Sequence, residues 1–216
     1  TFDEPDYAER CIADLERYFA AGAVACKIWK NIGMEVQKPS GEFIMVDNAL
    51  FDPIYDYLEK MDVALLLHIG EPLACWQPLD NPNNPHYGYY KNNPQWHMYG
   101  KEEFPLHADI IAARDRLVAK RPKLRIIGAH LASLEWDVDE VAQRLKDFPN
   151  FAVDTSARML DLTWQDSAKV RALFAAFPEQ ILYGSDMVLD GFSSELDEEK
   201  RQQRIETADA RWQMEF

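Results

Sequence analysis

The chain has 216 residues, 47% of them hydrophobic and 28% charged, with a formal net charge of −14. That is ordinary globular composition, with length enough for one sizeable core. A chain this acidic is ill suited to coating nucleic acid or an anionic membrane, since both need clustered Lys and Arg. No apolar run approaches the ~20 residues needed to span a bilayer. The three cysteines, Cys11, Cys26 and Cys75, are odd in number and match no CxxC pattern. They read as reduced thiols, with Cys26 buried in a strand. This favours a reducing compartment such as the cytoplasm and is compatible with the periplasm.

In chain order, Asp3 and Pro5 open a predicted helix that runs to about Ala20 and stops before Gly22. The segment GAVACKIW reads as a strand, DPIYDYLEK as a helix and DVALLLH as a strand. Residues 71–106 carry no helix or strand signal and are rich in Pro, Asn, Tyr and Trp, so they read as an ordered lid, substrate wall or oligomer contact. A third helix spans about 107–120, followed by the strand LRIIGAH. A fourth helix covers about 138–147, where Val138, Val141 and Leu145 recur at helical spacing. NFAVD is a strand, about 166–177 a fifth helix, and EQILYGSD the last strand. The tail from Ser194 is charged and helix-prone.

Helix and strand thus alternate five times. The strands are short, nearly continuous apolar runs, which marks parallel strands buried on both faces. That order defines an α/β fold with a parallel sheet. No GxGxxG or Walker-type loop supports a nucleotide site. An ionisable residue follows the apolar stretch of each strand: Lys27, His68, His130, Asp154 and Asp186. In a parallel barrel all such ends face one rim, so these groups would converge in one pocket. Imidazole with carboxylate suits a divalent transition metal, and Asp186 beside a water is a candidate general base. Singly, each has a plainer reading. A His is often a structural hydrogen-bonding residue, Asp154 or Asp186 a helix cap, and Lys27 a snorkelling or ion-paired lysine.

The combination LLLHIGEP, PKLRIIGAHLAS, PNFAVDTSAR and QILYGSD resembles the amidohydrolase-related family over about Gly22 to Asp186. Members are metal-dependent hydrolases of cyclic esters and amides, and nonoxidative decarboxylases. The resemblance implies a TIM-type (β/α)8 barrel, with this chain supplying strands four to eight. It implies that His68 is a metal ligand, and that His130 is a second ligand or a substrate-polarising group. Asp186 would be the metal-bound general base, and Lys27 would stand where some subgroups bridge two metals with a carboxylated lysine. The cofactor expected is Zn, with Mn or Fe as alternatives. The family's first strand carries a His-x-His pair. The five histidines here, at 68, 86, 97, 107 and 130, include no such pair. About 250 residues is typical of the whole barrel. The expectation is therefore a single barrel domain over 1–216 that lacks its N-terminal third.

Four further residues are candidate substrate contacts: Glu71, His107, Arg158 and Trp76. Glu71 leaves the strand of His68, and its plainer reading is a solvated carboxylate. Arg158 suits a bidentate grip on a substrate carboxylate, or an ion pair with a nearby Asp. His107 opens a helix beside the aromatic loop and is otherwise a surface residue. Trp76, with Trp96, Tyr89 and Tyr99, could wall a ring-shaped substrate or pack the loop onto the barrel. The leading reading is hydrolysis of an ester, lactone or amide of a small-molecule substrate by metal-activated water. A metal-dependent decarboxylase on the same scaffold is the close alternative. A non-catalytic binding barrel and a two-carboxylate glycosidase using Asp154 and Asp186 stand further off. By analogy with such barrels, a homo-oligomer is expected.

Overall fold

The computed structural model describes residue 2, residues 4–80, residues 84–186 and residue 202. Apart from Gln202, the charged tail from Ser194 lies outside the described residues, as does Asp3. In α1 (Tyr7–Ala20) the residues Ala8, Cys11, Ile12, Leu15 and Phe19 recur at helical spacing and lie partly buried against the core. The helix ends ahead of Gly22, whose φ of 104° suits a residue without a Cβ. The next elements are β1 (Ala25–Ile28), α2 (Asp52–Lys60) and β2 (Ala64–Leu67). Pro53 sits in the first turn of α2, where its missing N–H is no loss, and Ile54, Tyr55 and Leu58 face the core.

After β2 the chain runs through α3 (Tyr87–Asn92) and α4 (His107–Lys120) to β3 (Ile126–Gly128). A short segment labelled α5 (Ala129–Ala132), a left-handed turn and not a regular helix, then α6 (Val138–Asp147), lead to β4 (Phe151–Asp154). The last elements are α7 (Met159–Thr163), α8 (Ser167–Ala176) and β5 (Ile181–Leu182). Side-chain caps start two of these helices. Asp137 accepts from Asp139 N at 2.9 Å, and Asp166 accepts from Ala168 N at 2.7 Å.

The five strands form one parallel sheet in the order β1-β2-β3-β4-β5. Cys26 pairs with Leu65, Leu65 with Ile126, and Ile126 with Phe151. Leu65, Leu67, Ile126, Phe151 and Val153 are at most 1% exposed and pack into the main core. Burial of each such side chain contributes about 1.5–3 kcal/mol. The alternate residues Leu66, Ile127 and Ala152 are only half-buried, and Lys27 is exposed. Burial on both faces, expected from the continuous apolar runs, is thus met on one face only. The described strands make an open sheet, and nothing described covers its second face as the first is covered.

Two other expectations change. The strands are shorter than the apolar runs, so His130 and Asp186 lie beyond β3 and β5 in the connecting segments. The 71–106 segment holds regular structure: 3-10 turns at Leu73–Trp76 and Pro94–Trp96 flank α3. Helix propensity is weak in YGYYKN. The helix is held by tertiary packing instead, with Tyr90 fully buried and its hydroxyl donating to Glu71 Oε2 at 3.2 Å. No helix among the described residues is long and apolar enough to cross a membrane.

Close packing at the end of β3 makes a direct prediction. A Cβ on Gly128 would stand 2.5 Å from Ala132 Cβ and 2.8 Å from Phe151 Cζ. Gly128→Ala should lower stability by about 1–3 kcal/mol in urea unfolding. Gly88, with nothing within 4 Å in helix α3, should accept Ala without loss. Equal effects at the two sites would contradict this packing.

Candidate active site

His68 follows β2 directly, and its backbone N–H donates to Ile28 O at 3.0 Å, which continues the sheet ladder by one residue. His130 reaches the same rim by a different route. Residues 130–133 are all left-handed, with φ of 60°, 53°, 57° and 57°. For L-residues that conformation costs about 1–2 kcal/mol each, so it persists only where the surroundings hold it. Here His130 N donates to Asp154 Oδ1 at 2.9 Å. The fully buried Arg114 donates through Nη1 to Ala132 O. His107 Nε2 donates to Ser133 O at 3.0 Å, and Ser133 Oγ donates to Ile69 O at 2.8 Å.

The turn sets the His130 ring against that of His68, with centroids 4.3 Å apart and planes at 68°. His130 Nδ1 lies 2.8 Å from Ser156 O. A carbonyl accepts only, so Nδ1 carries the proton and Nε2 keeps its lone pair. Burial lowers the His68 pKa to about 3, with His130 and Lys30 adding to the effect. Burial also lowers that of His130, helped by the positive charge of Arg158. Both rings are therefore neutral at pH 7, the form in which imidazole ligates a metal or accepts a proton.

These rings open on a cavity of about 340 Å³, also lined by Lys30, Glu71, Arg158 and Asp186. Lys30 and Glu71 form a buried ion pair, and Lys30 Nζ stands 3.8 Å from the centroid of the Trp96 ring. Arg158 donates through Nη1 to Ala157 O at 2.7 Å, while its Nε is buried without a partner among the described residues. In the same cavity His86 Nε2 lies 2.8 Å from Asp161 Oδ1, a carboxylate only 7% exposed.

Asp186 lines the cavity but is exposed, on a left-handed backbone with φ of 56°. Among the described residues no group of three or more His, Cys, Asp or Glu stands close enough to hold a metal ion. The expected set of His68, His130 and Asp186 is thus brought to one cavity without being closed into a ligand shell.

The remaining candidates divide. Glu71 and Arg158 line the cavity, and Glu71 is a buried ion-pair partner, not a solvated loop carboxylate. Lys27 does not line it. It is exposed beside a different cavity, against α1. Lys27 pairs with Leu66, two residues short of His68, so the lysine at the rim is Lys30. His107 is buried beneath the left-handed turn and faces neither substrate nor surface. Trp76 donates through Nε1 to Pro105 O at 3.1 Å and packs its ring on His107, which fixes the loop. Asp154 acts as a cap, its Oδ1 accepting from both His130 N and Ser156 N. Lys30, His86 and Asp161 were not expected at the site. Only the aromatic neighbours of Lys30 and the Pro-Asn loop around His86 hinted at them.

The fold and site define half or more of a TIM-type barrel, with paired neutral imidazoles and flanking cations at the C-terminal rim of its parallel sheet. The amidohydrolase family model matches residues 1–213, and the chain belongs to that family. A solved structure of 2,6-dihydroxybenzoate decarboxylase in complex with 2,6-dihydroxybenzoate is similar at 17% identity and TM-score 0.51, over 94% of this chain and 66% of that one. A dihydroxybenzoic acid decarboxylase from Polaromonas sp. JS666, with bound manganese and 2-nitroresorcinol, is similar at 16% identity and TM-score 0.51, over 93% and 65%. A putative amidohydrolase from Staphylococcus aureus gives 16% identity and TM-score 0.51, over 92% and 67%. An uncharacterized TIM-barrel protein from Bordetella bronchiseptica is matched over 50% of its length. The chain therefore spans half to about two thirds of the structures it resembles, and at these identities the likeness establishes the fold. No curated protein matches.

The buried His107 makes a pH prediction. Burial lowers its pKa to about 4 from the ordinary imidazole value of 6.5. The unfolded chain then binds the extra proton between those values, so stability is complete above pH 6.5 and is lost as pH falls toward 4. From pH 7 to pH 5 this one group should remove about 2 kcal/mol. Urea unfolding at both pH values should show that loss in the native protein and a smaller one in His107→Gln. Equal pH dependence in the two would exclude the effect.

Proposed function

We propose that the rim of this sheet is the catalytic mouth of a metal-dependent hydrolase acting on an ester, lactone or amide of a small carboxylated ring compound. The observation that carries the reading is the pair of neutral imidazoles, His68 and His130, sharing one cavity with Arg158 and Asp186. The donor set fits a divalent metal in chemistry. His68 and the Nε2 of His130 offer lone pairs, and Asp186 offers a carboxylate in the same cavity. With Asp186 drawn in toward the two rings these three would hold the ion, with zinc favoured and manganese or iron as alternatives. When bound, such an ion supplies Lewis acidity and lowers the pKa of water.

The chain's own residues supply the rest. Arg158 can take a substrate carboxylate in a two-point grip, while the charge of Lys30 is matched by Glu71. Asp186, at the exposed end of the cavity, can accept the proton of the attacking water. The buried Lys30–Glu71 pair and Tyr90 keep that wall rigid.

A second reading, nonoxidative decarboxylation, has one observation in its favour. His86, oriented by Asp161 in the same cavity, can deliver a proton to a carbon that loses carbon dioxide. Two of the structures that this chain resembles are named as decarboxylases. The protein works on this reading as a single barrel domain, and a homo-oligomer is part of the proposal. Its free thiols suit the cytoplasm.

Metal analysis tests the site. After equilibration with zinc, His68→Ala, His130→Ala and Asp186→Asn should each bind the metal at least about tenfold more weakly than the native protein. Equal metal content in all four proteins would remove the proposal. Assays then separate the reactions. Lactone or ester hydrolysis without carbon dioxide release supports the hydrolase, and carbon dioxide release from 2,6-dihydroxybenzoate supports the decarboxylase.

A further inference from the structure

A second cavity, of about 460 Å³, adjoins the first and shares Pro85, Asp161 and Trp164 with it. Its lining includes Glu135, which is 3% exposed and lies two residues beyond the left-handed turn. Glu135 Oε1 accepts from Leu73 N at 2.9 Å, which ties the loop after β2 to the turn. Its Oε2 is buried with no hydrogen-bond partner among the described residues. The tie to Leu73 uses one oxygen and needs no charge, so a glutamine carbonyl would serve as well. The second oxygen has no structural task.

The other walls indicate what that oxygen could receive. Asp161 adds a second buried carboxylate, and no Lys, Arg or His lines this cavity among the described residues. Trp136 and Trp164, 45% and 53% exposed, present indole surface at its edge. The polar side chains of Gln165 and Asn84 are already engaged. Gln165 accepts from Val138 N and donates to Glu135 O, and Asn84 donates to Ala74 O and accepts from His86 N. Burial raises the Glu135 pKa, with Asp161 reinforcing and Arg158, from the first cavity, opposing. Buried carboxylate, acidic surroundings and indole faces together are the chemistry that recognises a positively charged organic group.

We infer that this cleft is a binding site for a small organic cation, an alkyl or aryl ammonium, whose charged group is received by Glu135 Oε2 beside the indoles of Trp136 and Trp164. The site is separate from the imidazole cavity and does not depend on a metal there.

Benzylammonium is a suitable probe, followed by calorimetry and by the indole N–H signals of Trp136 and Trp164 in NMR. Glu135→Gln preserves shape and the Leu73 tie, and should weaken binding by about tenfold or more with an unchanged folded spectrum. Benzyl alcohol, the neutral analogue, should bind similarly weakly to the native protein. Trp136→Ala, a change at the surface, should also weaken binding. Asp186→Asn, in the first cavity, should leave affinity within roughly twofold, as expected for separate sites. The inference is overturned if the native protein fails to bind benzylammonium. It is equally overturned if Glu135→Gln binds as well as the native protein, if the alcohol binds as tightly as the ammonium, or if Asp186→Asn abolishes binding.

Discussion

The left-handed turn from His130 to Ser133 is the constraint on which both cavities depend. Four consecutive L-residues in that conformation are disfavoured on their own. They are held from beneath by Arg114 and His107, from the side by Asp154, and through Ser133 by the carbonyl of Ile69. The chain is thereby turned sharply where β3 ends. His130 is delivered to the His68 ring on one side, and Glu135 is placed under the loop after β2 on the other. A right-handed helical turn would carry these side chains elsewhere.

The charge of the two cavities differs although they share a wall. The first sets Lys30 and Arg158 among the carboxylates of Glu71, Asp161 and Asp186, around two imidazoles that burial keeps neutral. The second gathers Glu135 and Asp161 with no basic residue in its lining. Asp161 serves both, because its Oδ1 is taken by His86 in the first cavity while the residue also borders the second. The buried Lys30–Glu71 pair of the first cavity is in contact with Trp96 and Tyr90 from the aromatic segment. That segment is thus part of the site's construction.

Much of the fold was legible in the sequence because the signals are local. Helical periodicity, Pro near helix starts, Gly22 after α1 and short apolar runs depend on neighbours a few residues away, and they locate the five αβ units. The parallel order followed from the same alternation, and it placed His68, His130 and Asp186 on one rim in advance. The four motifs, three of which carry these residues, were also enough to indicate the family. Less legible was α3, where Tyr90 is drawn into the core by contacts with Glu71 and His97 that are remote in sequence.

The sequence by itself determined which segments form helices and strands, and that ionisable residues follow the strands. Only the tertiary structure decided which of them meet. Lys27 and Lys30 are both near the end of β1, but register pairs Lys27 with Leu66 within the sheet, and the turn beyond the strand brings Lys30 to the cavity of His68. His107 and His86 were equal candidates by residue type, yet one is buried under the turn and the other lines the cavity. No glycine in AHLAS marks the left-handed path. It exists because Arg114, His107, Asp154 and Ile69, from separate elements, hold it there. Such a conformation is a property of the assembled surroundings and has no local signature.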